Sequence, residues 1–186
     1  MPTKSVQVNR APVLTLWAAV VAERLGYDPS ASLTIGRALA GMNAQAKGRR
    51  LGIYHEKEVD EEPPSTPGAS RAEVRRAAQI KFVDLMGREV PTMRTPEGVR
   101  AAIDGKPIDP ESVERYLIKK FGDHLDDVRR ELAALARAYS PEELAQEAFP
   151  LYEKFRPSVP RGEKGWGAKG PFDLEAVKVL ARRKGR

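Results

Sequence analysis

The sequence of 186 residues contains no cysteine and only two histidines. The absence of cysteine excludes a disulfide framework, a thiolate metal site and a thiol nucleophile. The longest apolar run, Val13 to Ala22, is too short to span a bilayer, and Met1 to Arg10 lacks the apolar core of a secretory signal. We therefore expect a soluble cytoplasmic protein.

The chain also lacks the residue spacings that identify an enzyme. No nucleophile–base pair or carboxylate pair is evident from the spacing. The group Asp123, His124, Asp126 and Asp127 invites a metal interpretation, but no second histidine is near, and His124 leaves the helix face that residues 123 and 127 share. We expect a protein that is not an enzyme and holds neither a cofactor nor a metal.

The strongest pattern that is present covers Pro12 to Arg50. Apolar residues recur at three- and four-residue steps and predict a first helix, which Pro12 opens and Gly26 ends. Asp28 is placed to cap a second helix, whose small residues would let it approach a neighbour closely. This second helix closes on a basic run at residues 47–50.

The junction from Ala22 to Ser30 resembles a helix-turn-helix, in which an alanine lets the helices pack and a glycine, here Gly26, makes the turn. This resemblance implies that the second helix contacts nucleic acid. Its phosphate contacts would come from Arg37, Lys47, Arg49 and Arg50, and its base readers would be Thr34, Asn43 and Gln45. The alternative is a plain buried helical hairpin, because Ser32 stands where such motifs bury a branched apolar residue.

Charge is distributed unevenly along the chain. Residues 1–52 have a net charge of +5, residues 53–70 have −4 and the remaining residues have +5, within a total of +6. A basic first part suits a negatively charged partner such as nucleic acid, because released counterions drive that association. The competing interpretation is that the charge only serves solubility.

Residues 56–69 mix acidic residues with proline, a composition that disfavours helix and cannot bury enough apolar surface to order itself. We interpret this segment as a linker between an N-terminal helical hairpin, residues 1–55, and a C-terminal helical domain, residues 70–186. A sharper alternative is that the acidic segment folds back on the basic front and competes with an acidic ligand.

The C-terminal part reads as helices separated by proline and glycine. Ser70 begins a capping-box pattern, and the apolar residues that follow predict a helix that Gly87 ends. The alternative is a β-hairpin over residues 80–93 that turns at Gly87, and residues 88–94 can be extended because prolines bias their predecessors that way. Further helices are expected from Thr95 to Gly105, Asp109 to Gly122, Asp123 to Tyr139, Ser140 to Phe155 with a break or kink at Pro150, and from Phe172 onward. We therefore expect an all-α protein.

A glycine-rich stretch at residues 157–171 precedes this last helix and its basic tail. Its glycines would let the backbone come close to a ligand, and Trp166 could stack on a base beside Lys164 and Lys169. The alternative is a surface loop pinned by a buried Trp166, because the spacing of a phosphate-binding loop is missing.

Three functional hypotheses follow from these patterns. The first is nucleic-acid binding, to DNA in preference to RNA, by the basic residues of the N-terminal helices together with Lys164, Trp166 and Lys169. The second is an interaction module in which the small-residue helix at residues 30–46 packs against its copy in a homo-oligomer. The third is an enzyme or binder that takes an anionic small molecule at residues 161–170.

Overall fold

The structure, a computed structural model, describes residues 5–50, 80–157 and 169–185, and the side chains of all of these except 45–50. In this part of the chain the helices are α1 (Arg10–Arg24), α2 (Pro29–Arg50), α3 (Pro110–Phe121), α4 (Leu125–Arg137), α5 (Pro141–Phe155) and α6 (Leu174–Lys184). The strands are β1 (Ser5–Val8), β2 (Lys81–Leu85), β3 (Arg88–Thr95), β4 (Gly98–Ile103), β5 (Lys106–Pro107) and β6 (Gly170–Asp173). None of the described helices is long and apolar enough to cross a membrane.

Helix α1 lies at the centre of the fold. Every residue from Pro12 to Ala22 is buried, as expected of a helix that is apolar all round. It packs against α2, α3, α4 and α5. The indole N–H of Trp17 donates to the carbonyl of Ala148 in α5 at 2.9 Å, and the Trp17 ring meets Phe155 edge to face. The largest side chain of the core therefore has its polar atom satisfied.

The contact between α1 and α2 is unusually close at Gly36. A Cβ atom built on this glycine would lie 2.3 Å from the carbonyl oxygen of Thr15 and 2.9 Å from the amide nitrogen of Ala19. The predicted start of α2 is confirmed, because the side chain of Asp28 accepts from the amide of Ala31 at 2.8 Å. Helix α2 then continues along β4 and α3 on its other sides.

The prediction of an all-α protein is wrong, because the described chain contains a two-stranded and a four-stranded antiparallel sheet. Strands β2, β3, β4 and β5 form a meander in that order, so residues 81–85 and 98–103, expected to be helical, are strands. The alternative β-hairpin that turns at Gly87 is confirmed, and so is the extended segment at residues 88–94. The fold is mixed α/β.

Turn chemistry explains this error. Met86 and Gly87 have φ angles of 51° and 77°, and Asp104 and Gly105 have 53° and 75°. Positive φ at both central residues is typical of the two-residue turns whose twist matches that of paired strands. The two glycines, expected as helix ends, are therefore turn residues. Pro96, expected at a helix start, lies in the two-residue turn between β3 and β4, where proline is equally suited to the backbone.

The smaller sheet joins the two ends of the described chain. Strand β1 pairs with β6 from Ser5 opposite Asp173 to Val8 opposite Gly170. Phe172 is fully buried in this sheet and is not part of the final helix, where the sequence pattern places it. Helix α6 begins one residue after Asp173, whose carboxylate accepts from the amide of Glu175 at 2.9 Å.

The helix-turn-helix interpretation is also wrong. The first three turns of α2 are enclosed by α1, α3 and β4, and eight of the ten residues from Ala31 to Ala40 are buried. A recognition helix must enter a groove of the nucleic acid and therefore needs an exposed face. The plain buried hairpin is the interpretation that the structure confirms.

The helices α3, α4 and α5 are confirmed, together with the caps that predict two of them. Asp109 caps α3, and Ser140 forms a capping box with Glu143 at the start of α5. Helix α5 continues through Pro150, so the expected break does not occur there. The linker at residues 56–69 lies outside the described residues, and the division into two domains stays a prediction.

Replacing Gly36 by Ala should destabilise the protein by about 1–3 kcal/mol, because the added Cβ meets backbone atoms of α1 that cannot move without separating the helices. Gly41→Ala is the matched control. A Cβ at Gly41 has no atom within 4 Å, so this change should stabilise α2 by up to about 1 kcal/mol through helix propensity. Urea unfolding of both variants measures the difference. Equal stability of the two variants would contradict the close contact.

Candidate functional site

The helical hairpin determines which cations meet at one end of the molecule. Because only residues 25–28 join α1 to α2, the two packed helices run antiparallel. Counting along each helix from the Gly36 contact at 1.5 Å per residue, Arg10 and Asn43 lie at about the same level, roughly 10 Å away. Helix α2 continues beyond this level to Arg50. Its basic residues 47–50 therefore lie past the start of α1.

Arg88 joins this end of α2 from the sheet. It follows the turn between β2 and β3, and its Nη2 atom donates to the side-chain oxygen of Asn43 at 3.1 Å. This hydrogen bond holds the turn between β2 and β3 against α2. It also adds a guanidinium group one to two helical turns before the basic run.

Arg10 and Arg156 form a second cationic contribution at the same end. The Nε of Arg10 donates to the carbonyl of Pro157 at 2.8 Å, which brings the residue after Arg156 against the start of α1. Tyr152 lies between them: its hydroxyl donates to the carbonyl of Arg10 at 3.3 Å, and the guanidinium carbon of Arg156 is 6.0 Å from its ring centroid. Burial lowers the pKa of Arg10, and the positive charge of Arg156 lowers it further.

Lys169 completes the group. Strand β6 starts at the next residue, and its pairing places Gly170 opposite Val8, two residues before Arg10. The exposed Lys169 therefore lies beside the start of α1. We call Arg10, Arg88, Arg156 and Lys169 the basic end.

The charges of the basic end have no acidic partner within the described part of the chain. Among the described residues, none of its four cations forms an ion pair with an acidic side chain. Other arginines do so: Arg129 lies 2.7 Å from Glu114, and Arg130 lies 2.6 Å from Asp127. Because unneutralised like charges repel one another, the basic end is suited to an anion that spans several of them.

The residues predicted to contact nucleic acid fall into different places. Thr34 is fully buried, donates to the carbonyl of Ala31 at 2.7 Å and accepts from the amide of Ala101 at 2.9 Å. Because its hydroxyl is hydrogen-bonded to the backbone of β4, it is not available to contact a base. Asn43 is partly exposed but is engaged with Arg88.

Arg37 is separated from the basic end. It lies next to Gly36, in the middle of the hairpin, and its guanidinium carbon stacks 4.4 Å from the ring centroid of Tyr116 in α3. Lys120 approaches the same ring at 5.9 Å. Burial raises the pKa of Tyr116, and the charge of Arg37 opposes that effect. These contacts give Arg37 a packing role between α2 and α3.

Two groups of predicted residues cannot be placed by their contacts. The backbone of residues 45–50 is helical, but the side chains of Gln45, Lys47, Arg49 and Arg50 lie outside the described part. Lys164 and Trp166 lie outside the described residues. So do residues 161–168, which make up most of the 161–170 segment of the third hypothesis. Lys169 is described and belongs to the basic end.

Sequence patterns did not single out Arg10, Arg88 or Arg156. Each stands alone beside apolar or acidic neighbours, and the three come from separate parts of the chain. The one local signal is that Arg156 directly precedes the glycine-rich stretch and Lys169 lies near its end. The meeting of Arg10 with Arg156 depends on tertiary contacts.

Replacing Thr34 by Val should destabilise the protein by about 1–3 kcal/mol, because the buried amide of Ala101 loses its acceptor. Thr34→Ser keeps the hydroxyl and serves as the control. Hydrogen exchange distinguishes them: the Ala101 amide should exchange faster in the Val variant than in the Ser variant. Equal protection in both would show that the hydroxyl does not hold this strand edge.

The stability of the protein should fall at alkaline pH because of Tyr152. Burial raises the pKa of Tyr152 to about 12, above its ordinary value of about 10. The protonated form is therefore favoured in the folded state, and its stabilising contribution is complete below about pH 10 and is lost as the pH rises through about 12.

Between pH 9 and pH 12 the free energy of unfolding should fall by about 2 kcal/mol more in the native protein than in Tyr152→Phe, because the phenylalanine cannot ionise. Urea unfolding at both pH values measures this difference. The other tyrosines and the lysines titrate in both proteins, so the comparison isolates this hydroxyl. An identical decline in both proteins would mean that Tyr152 titrates normally.

Comparison with known proteins gives no functional assignment. No protein-family model matches the chain, no curated protein matches it, and no solved structure matches it. Fold likeness alone would not establish a function in any case, since unrelated functions share folds. The function is therefore inferred from the basic end.

Proposed function

We propose that the protein binds the phosphate backbone of nucleic acid through the basic end, without reading base sequence. The observation that supports this most is the convergence of four cations from four separate segments, none paired with an acid in the described chain. Charges kept only for solubility need not converge.

Electrostatic repulsion within the basic end favours an anionic partner. Burial lowers the pKa of Arg10, and repulsion from Arg156 lowers it further. A phosphate group that contacts both arginines would offset this repulsion with charge-assisted hydrogen bonds. Successive phosphates along a strand could contact Arg88 and the basic run at residues 47–50. Several contacts of this kind make binding strongly dependent on salt.

The proposed contacts are to backbone and not to bases. Thr34 is buried, and the side-chain oxygen of Asn43 already accepts from Arg88, so two of the three expected base readers are occupied. Phosphate contacts position a protein on nucleic acid but carry no sequence information. The cytoplasmic location expected from the sequence is part of the same proposal.

The homo-oligomer hypothesis stays a prediction, although only part of its small-residue surface is exposed: Gly41 and Ala44 are partly exposed. The small residues Gly36, Ala38 and Ala40 of α2 lie inside the chain's own fold, with Gly36 against α1. They are therefore not available to a second copy. The large apolar side chains that are exposed in the described residues, Phe82, Ile103 and Ile118, belong to three different elements.

Binding of a labelled oligonucleotide at several salt concentrations tests the proposal. The logarithm of the association constant should fall linearly with the logarithm of salt concentration, with a slope of about 0.7 per phosphate contact for single strands and about 0.9 for duplex. The double variant Arg88→Ala with Arg156→Ala should make the slope shallower by the amount that corresponds to about two phosphate contacts. The double variant Arg49→Ala with Arg50→Ala should have the same effect. Scrambling the oligonucleotide sequence should have no effect.

The matched control is Arg130→Ala with Arg182→Ala. It removes the same charge, but these two arginines are exposed and lie in ion pairs with Asp127 and Glu175. The control should leave the salt slope nearly unchanged. If it lowers the slope as much as the other pairs, only net charge matters and the basic end is not a site; if no oligonucleotide binds at low salt, the proposal fails.

A further inference from the structure

A second site, unrelated to nucleic acid, lies at the opposite end of α2. An open cleft of about 750 Å³ is bounded by the first turn of α2, the turn between β3 and β4, and the segment that leads from β5 into α3. Cavities of this size accommodate small molecules. Its lining combines one arginine, several carboxylates and an apolar wall.

Arg100 is the unusual residue of this cleft. It is only 8% exposed, yet it forms no ion pair with an acidic side chain of the described chain. Within the described residues, its side-chain hydrogen bond is from Nη1 to the carbonyl of Val99 at 2.8 Å. Asp28 is on the same side of Gly98, but its Oδ1 atom already caps α2. The guanidinium nitrogens of Arg100 are not among the fully buried, unpartnered atoms of the described residues. The side chain lines the cleft, so an external carboxylate could pair with it.

The carboxylates of the cleft mostly have other partners. Glu114 lies 2.7 Å from Arg129, and Asp109 accepts from the amide of Glu111 at 3.0 Å as the cap of α3. Within the described residues, Glu97 accepts a hydrogen bond only from the hydroxyl of Thr95, and the exposed Glu111 forms no ion pair. Glu97 and Glu111 are therefore open to a cation at the rim.

These charges select the class of ligand. A phosphate chain or nucleic acid would be attracted by Arg100 but repelled by four carboxylates. A simple amine would leave Arg100 unpaired. Leu33, Pro107, Ile108 and Pro110 also line the cleft, so they could contact an aliphatic stem.

We infer that this cleft binds a small aliphatic zwitterion, whose carboxylate pairs with Arg100 and whose ammonium group lies against Glu97 and Glu111. Lysine and other ω-amino carboxylates have this chemistry. Arginine takes a carboxylate in a bidentate manner, while the exposed rim acids provide attraction without demanding one geometry.

Titration of the full-length protein with 6-aminohexanoate, followed by amide chemical shifts, tests the inference. Shifts should be saturable and centred on Gly98, Ile108 and Glu111. Hexanoate lacks the ammonium group and hexylamine lacks the carboxylate, so each should bind at least about tenfold more weakly, the change expected when one charge pair is lost. Absence of saturable shifts up to about 10 mM, a weak affinity by any standard, would overturn the inference.

Variants separate the two charge contacts. Arg100→Met should abolish binding of 6-aminohexanoate, with the exposed Arg137→Met as control. If Arg100→Met fails to fold, the double variant Glu97→Gln with Glu111→Gln decides the matter. It should weaken 6-aminohexanoate about tenfold, the loss expected for one charge pair, while leaving hexanoate unchanged.

Two further outcomes would overturn the inference. The control pair Glu142→Gln with Glu147→Gln changes exposed acids on α5, and an equal loss of affinity there would mean that net charge alone attracts the probe. Inorganic phosphate that binds more tightly than 6-aminohexanoate would indicate a simple anion site.

Discussion

The close contact of Gly36 with the backbone of α1 is the constraint on which the rest of the structure depends. Helix α1 is apolar on every side and must be covered completely, and α2 can cover it only by approaching to within backbone contact. The other sides of α2 then receive β4, through the hydroxyl of Thr34, and α3, through Arg37 stacked on Tyr116. Gly36 therefore sets the position of the sheet and of the C-terminal helices as well as that of its own partner.

The sequence was a good guide to helices whose ends are marked by local chemistry. Asp28, Asp109 and Ser140 cap the helices that they predict, because a cap depends only on residues within one turn. The strands were missed where one residue type supports two structures: a glycine with positive φ ends a helix or makes a hairpin turn equally well. Asp-Gly is one of the preferred dipeptides of two-residue hairpin turns, so Asp104-Gly105 was the local signal for the hairpin of β4 and β5. The pairing of β1 with β6 depends on long-range contact and had no local signal.

The candidate site shows the same limit. The basic run at residues 47–50 is visible as a charge pattern, and its helical backbone was predicted. Arg10, Arg88 and Arg156 are single arginines in ordinary contexts, and only the hydrogen bonds of Arg10 with Pro157 and of Arg88 with Asn43 bring them to the same end. Thr34 was predicted to contact a base because it is a polar residue on an apolar helix. Its hydroxyl instead accepts a hydrogen bond from the amide of Ala101 in β4. Residue type suggests a role, but burial decides it.

The helix macrodipole explains why some of the charged residues stand at helix ends, but it does not explain all of them. Cations in the last turn of a helix and acids in the first turn each stabilise it by about 0.3–1 kcal/mol. This effect can account for residues 47–50 of α2 and for the acids that begin α2 and α3. It cannot account for Arg10, which stands at the first turn of α1, where a cation is disfavoured and where Arg156 adds repulsion. Nor can it account for Arg100, which is buried beside the first turns of α2 and α3. Arg10 is therefore kept against the local electrostatics, and Arg100 is kept largely buried although no carboxylate of the described residues forms an ion pair with it. An external anion would offset the charge of either residue.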